Sequence, residues 1–172
     1  MAINIRLLRS LRKGSRGKHF FGLLLLIAIV ACQFLMLPDL SVWAQGDRDS
    51  KSEAAIRTVL EAQAAAWNRG DVEAYMDGYE HSPNTEFVGG DSITRGWQEV
   101  LNRYKQRYDT REKMGMLTFS DLEITVLSND AALVLGRWRL KRASDEPHGT
   151  FTLLFRKTKA GWRIVHDHTS SA

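Results

Sequence analysis

Two histidines at alternate positions near the C-terminus, His166 and His168, are the residues of this chain whose type and spacing best suit chemistry. In the run Trp162-Arg163-Ile164-Val165-His166-Asp167-His168-Thr169-Ser170, period-two alternation puts Trp162, Ile164, His166 and His168 on one face of a strand. An apolar row that ends in imidazoles is what a strand shows when it runs from a packed core into a pocket. There the rings can exchange hydrogen bonds or serve as an acid-base pair near neutral pH. A plainer role is that one ring closes the pocket by bonding a neighbouring side chain. Spaced i, i+2 they can also chelate a metal, but outside the N-terminal segment only His81 and His148 remain as further imidazole ligands, so neither a metal nor a cofactor is expected. Asp167 alternates to the opposite face and is not expected to orient either ring.

A second candidate group is cationic. In the strand expected over residues 131–142, Leu133, Leu135, Arg137 and Arg139 share one face, and Val134, Gly136, Trp138 and Leu140 share the other. Periodicity alone does not say which face looks inward. Tyr79 and Tyr104 can offer hydroxyls to a ligand, and Glu86, beside Phe87, is the candidate for a buried base. Most aromatic residues at helical spacing serve as core.

The elements that must position these groups follow from the pattern of apolar residues. Ile56, Val59, Leu60, Gln63 and Trp67 mark a helix opening near Ser52, stopped by Asn68-Arg69-Gly70. Asp71 caps a shorter helix carrying Val72, Tyr75, Met76 and Tyr79. A short extended piece over 85–88 ends at Gly89-Gly90, and a third helix is expected over about residues 95–108. After Gly115 the period changes to two, with strands at 116–127, 131–142, 149–158 and 162–170 joined by short links, which makes an antiparallel meander. Helices followed by a strongly bent antiparallel sheet give an α+β fold, a cone with an internal pocket.

The chain divides into residues 1–44, a polar linker at 45–51 and a domain at 52–172. The first segment carries six Lys and Arg without an acid before His19, then an apolar run over 20–37. This is the pattern of a secretory signal, with small residues at Val42 and Ala44 placing cleavage before Gln45. The run is also near the length of a membrane span, and Ile29-Val30-Ala31-Cys32 resembles a lipobox, so anchoring and lipidation at Cys32 remain alternatives. Each fate puts the domain outside the cytoplasmic membrane, periplasmic or secreted, touching the membrane only through the leader.

The net charge of +4 belongs to that leader. Residues 45–172 hold 18 Lys and Arg against 19 Asp and Glu, a balance that gives no reason to expect a nucleic-acid partner. They hold no cysteine, which is compatible with an oxidising compartment.

The runs Trp67-Asn68-Arg69-Gly70-Asp71, Phe87-Val88-Gly89-Gly90, Thr94-Arg95-Gly96-Trp97 and Gly161 to Ser170 resemble a SnoaL-like domain of the nuclear transport factor two-like superfamily. The resemblance covers about residues 51–171 and implies a cystatin-like cone, which in this superfamily hosts isomerases, dehydratases, hydrolases, association domains and binding modules. Arg137-Trp138-Arg139-Leu140 is similar to a strand of the calmodulin-dependent kinase association domain, and that likeness implies that Arg139 reaches inward to hold a carboxylate. Ketosteroid isomerase uses a tyrosine and two acids; Tyr75, Tyr79, Glu86 and Asp91 supply the types without an alignment to that site.

The expected function is an exported domain binding a small organic molecule, such as a carboxylate, in a mixed apolar and cationic pocket. A cofactor-independent isomerase, dehydratase or hydrolase is the alternative, and a dimerising association module is another. Apolar residues on both sheet faces, with helices for only one, imply a homodimer.

Overall fold

The computed structural model describes residues 40–172, with side chains from Gln45 onward. Cys32 and nearly all of the expected leader lie outside the described residues. The first helix, α1, spans Leu40–Asn68 and buries Ile56, Leu60, Gln63 and Trp67 along one stripe. Residues 45–51, expected as a linker, are helical instead. Side-chain pairs at i, i+4, Gln45 with Asp49 and Lys51 with Asp47, each at 2.6 Å, support that exposed stretch.

The end of α1 is tied down from several directions. Gly70 takes a φ of 88°, which reverses the chain, and Asp71 accepts from the Ala74 amide at 2.9 Å to open α2, Val72–Met76. Asn68 donates to the Leu117 carbonyl at 3.0 Å and accepts from the Leu117 amide at 2.7 Å. Arg111 donates to the carbonyls of Trp67 and Asn68, and the Trp67 indole donates to the Met114 carbonyl. Groups that a helix end leaves unpaired are satisfied this way, and the Trp67 ring is fixed.

Strands β1, Glu86–Gly89, and β2, Ser92–Arg95, form a hairpin whose turn contains Gly90 at φ 63°. The sequence shows only the first of them, and helix α3, Trp97–Arg107, starts after the second. A one-turn helix α4, Arg111–Met114, precedes the long strands β3, Met116–Ser128, β4, Ala131–Lys141, β5, His148–Thr158, and β6, Gly161–Thr169. These four make the expected antiparallel meander. The full order is β2-β1-β6-β5-β4-β3, with β1 parallel to β6.

Helices pack on the concave face of this curved, unclosed sheet. In β4 the inward row is Ala132, Val134, Gly136, Trp138 and Leu140, while Leu133 and Leu135 on the outer face are 38% and 45% exposed. Gly136 is required where it stands, because a Cβ there would lie 2.5 Å from the Phe151 ring and 2.8 Å from Leu122. Three irregularities shape the sheet: two in β3, between Ser120 and Glu123 and between Val126 and Ser128, and a bulge in β6 opposite Leu154 and Phe155.

The Asn68 clasp supplies a stability test. Asn68→Ala leaves the half-buried Leu117 amide and carbonyl without partners and should lower the unfolding free energy by about 1–3 kcal/mol. Urea denaturation monitored by circular dichroism reads it.

Candidate functional site

The bulge in β6 decides what faces the cavity. Phe155 pairs with Ile164, but the next residue back on β5, Leu154, pairs with His166, so Val165 is the extra residue. Ile164 also exchanges backbone hydrogen bonds with the segment before β1, donating to the Gly78 carbonyl and accepting from the Glu80 amide. At Val165 the strand leaves that segment and takes β1 as its neighbour. One added residue flips every later side chain to the other face. Trp162 and Ile164 therefore point inward, followed by Asp167 and Thr169, whereas His166 and His168 point outward.

Four of the expected site residues, the two histidines for this reason, lie away from the cavity. His166 sits on the outer face, 3.1 Å from Glu86, and His168 is exposed. Glu86 is no buried base: it is half-exposed, also holds Arg95 at 2.8 Å, and its carboxyl lies below the ordinary range because His166 and then Arg95 donate to it. Arg139 belongs to the outer row of β4, is mostly exposed and lies 3.8 Å from Glu146. The inner row was claimed by Val134 and Leu140, which desolvate at no electrostatic cost, so the arginines were left outside. Arg137 pairs there with Asp121. His81 stacks on Trp97, and among the described residues no group of three His, Cys, Asp or Glu side chains converges on a metal position.

Tyr79 and Tyr104 line the cavity, together with Tyr75 and Tyr108, so all four tyrosines of the chain share one wall. The cavity encloses about 80 Å³ between the helices and the concave sheet face. Trp67 meets Tyr75 and Tyr108 edge to face, with ring centres 5.1 Å and 4.7 Å apart, and Tyr75 lies tilted against Tyr104 at 5.3 Å. Such contacts add about 0.5–1.5 kcal/mol each beyond burial and hold the rings open around the space.

Inside this apolar wall sits one carboxylate. Asp167 is 4% exposed and accepts from the Tyr79 hydroxyl and the Thr169 hydroxyl, each at 2.6 Å. Burial pushes its pKa above the ordinary carboxylate range, while the two donors and the nearby histidines pull it down. Burial, with the Asp167 charge as a further cause, keeps Tyr75, Tyr79 and Tyr104 protonated well above the usual phenol range. The Tyr75 and Tyr104 hydroxyls lie 3.5 Å apart.

The cations at the site come from α3. Arg103 and Arg107 line the cavity, with Arg103 over the Phe87 ring at 5.0 Å and Arg107 over Tyr108 at 5.9 Å. Reading α3 for its apolar stripe passed over both. The signal was there, since each precedes a cavity tyrosine, Tyr104 or Tyr108, and so flanks the buried face.

A family model described as the SnoaL-like domain matches residues 56–172. The chain belongs to that family. A solved structure of an NTF2-like protein of unknown function from Shewanella oneidensis is 44% identical, covering 69% of this chain and 98% of that one, with a TM-score of 0.66. An NTF2-like protein with a cystatin-like fold from Novosphingobium aromaticivorans is 18% identical over 78% of this chain and 90% of its own, at 0.62. A ketosteroid isomerase-like protein from Erwinia carotovora atroseptica is 22% identical over 69% and 94%, at 0.56. These last two share the fold with the SnoaL-like domain. Comparison with curated proteins gives no match.

The buried acid makes stability depend on pH. Between the ordinary carboxylate pKa of the unfolded chain and the raised pKa of folded Asp167, the native state keeps a proton that the unfolded state releases. Stability therefore falls as pH rises through that window and levels off above it. Asp167→Asn should remove this fall, and Tyr79→Phe, which deletes a donor to the ionised form, should extend it to higher pH. Urea midpoints measured across pH test both.

Proposed function

We propose that this SnoaL-like domain is an exported module that binds a small organic molecule in its aromatic cavity. The observation that carries the reading is the rigid aromatic wall enclosing one buried carboxylate with two arginines at its edge. A concave apolar site with a few convergent polar groups is what ligand recognition uses. Its volume is well below the roughly 300–1,000 Å³ of sites for drug-sized molecules, which restricts the buried part of the ligand to about one ring. The pocket is mixed apolar and cationic, with Arg103 and Arg107 in the place first given to Arg139.

Trp67 and Trp138 both line the cavity, so binding is readable without a label. Titration with 4-methylphenol should change the intrinsic fluorescence saturably; a linear, unsaturable response counts against the reading. Asp167 favours a second reading, catalysis without a cofactor, because burial pushes its pKa up while the Tyr79 hydroxyl stays in hydrogen-bond contact with it. Cyclohexanone recovered from heavy water with Asp167-dependent deuterium next to its carbonyl would decide for that alternative.

Export and pairing complete the proposal. The basic and apolar leader supports secretion or periplasmic residence, with cleavage before Gln45. Leu133, Leu135 and Leu154 on the uncovered sheet face support a homodimer, since an apolar patch without helices favours two-fold self-association. Native mass spectrometry of the exported protein should give twice the mass of residues 45–172. Leu135→Glu should halve it; retention of Met1, or a lipid on Cys32, would replace cleavage by anchoring.

A further inference from the structure

We propose that the ligand is a single-ring organic acid bearing a hydroxyl at its far end, its acid group held by Arg103 and Arg107 and its hydroxyl donating to Asp167. The inference rests on the binding reading above and adds the ligand's class and orientation. Arg103 and Arg107 lie one turn apart on α3 and form no ion pair or hydrogen bond among the described residues. Other arginines of the fold have partners, either a carboxylate, as Arg95 has Glu86, Arg137 has Asp121 and Arg156 has Asp130, or backbone carbonyls, as Arg111 has those of Trp67 and Asn68. Like charges at i, i+4 repel. Arg107, in the last turn, gains from the helix dipole, but Arg103, a turn earlier, lacks that compensation.

An anion between the two guanidinium groups removes the repulsion and gives their planar donors a partner. Gly89 keeps this position open, because a Cβ there would lie 2.8 Å from Phe87 and 3.4 Å from a terminal nitrogen of Arg103. Arg107 is exposed and Asp167 is buried, so the cationic end of the cavity faces solvent and the acidic end lies within.

Tyr79 and Thr169 occupy two of the roughly four acceptor positions of the Asp167 carboxylate. A ligand hydroxyl fits a remaining one, whereas a ligand carboxylate there meets a like charge in an apolar wall. The two ends thus orient the molecule, acid outward and hydroxyl inward. The packed tyrosine and tryptophan rings between them suit a flat ring.

Calorimetry at neutral pH with 4-hydroxyphenylacetate, its methyl ester, phenylacetate and 4-methylphenol tests the assignment. 4-Hydroxyphenylacetate should bind at least about tenfold more tightly than either the ester or phenylacetate, the scale of a hydrogen bond to a charged group. Replacing both arginines, Arg103→Met with Arg107→Met, should bring the acid to the affinity of the ester and leave 4-methylphenol unchanged. Equal wild-type affinities for acid and ester would overturn the inference, without reliance on any variant. In that case binding of 4-methylphenol leaves the cavity reading standing. Failure of all four probes overturns both.

Discussion

The extra residue at Val165 is the constraint on which the site depends, because it sets the phase of the last strand. Before it, β6 contributes Trp162 and Ile164 to the core; after it, the same face carries Asp167 and Thr169. Without the bulge, two imidazoles would enter the cavity and the carboxylate would leave it. The bulge lies where the strand changes neighbours, from the Gly78–Glu80 segment to β1, so its position is fixed by backbone pairing on both sides. The same junction brings Tyr79 within 2.6 Å of Asp167, and one local irregularity thereby both turns the acid inward and provides its donor.

Around that junction the fold divides labour between its layers. The helix stripe of Ile56, Leu60 and Gln63 seals the base, and the Asn68 and Arg111 contacts fix where Trp67 stands. Sheet curvature, increased by the bulges, makes room that a flat sheet would fill with side chains. The aromatic wall then resists collapse because each ring is held by its neighbours. The buried polar residues Gln63, Thr85 and Asp167 each have a defined partner, as with Gln63, which donates to the Tyr75 carbonyl at 3.0 Å.

Much of this architecture was legible in the sequence, and the illegible parts share a cause. Helical spacing located Ile56 to Trp67 and Tyr104 to Tyr108, and alternation found all four long strands within a residue or two. Helix α4 and strand β2 are too short to show a period. Strict alternation was then carried through Val165, where a bulge leaves no compositional mark, so the inner face of β6 was misassigned. Arg139 was placed by likeness to another domain's strand, yet the burial of Val134 and Leu140 decides that face. Arg103 and Arg107 were visible but read as the solvated side of an amphipathic helix, since sequence does not show that no carboxylate reaches them.

The parallel pairing of β1 with β6 carries a consequence for how the domain comes into being. Glu86 and His166 are neighbours across strands and 80 residues apart along the chain. Contacts of such separation form late, because the intervening loop must be closed before they stabilise anything. The helices and the β3–β5 meander are local and can assemble earlier, but the wall bearing Asp167 exists only after the C-terminal strand has inserted between β1 and β5. During synthesis the domain thus remains an open half-shell with its aromatic rings uncovered, and the arrival of the final strand both completes the sheet and creates the cavity.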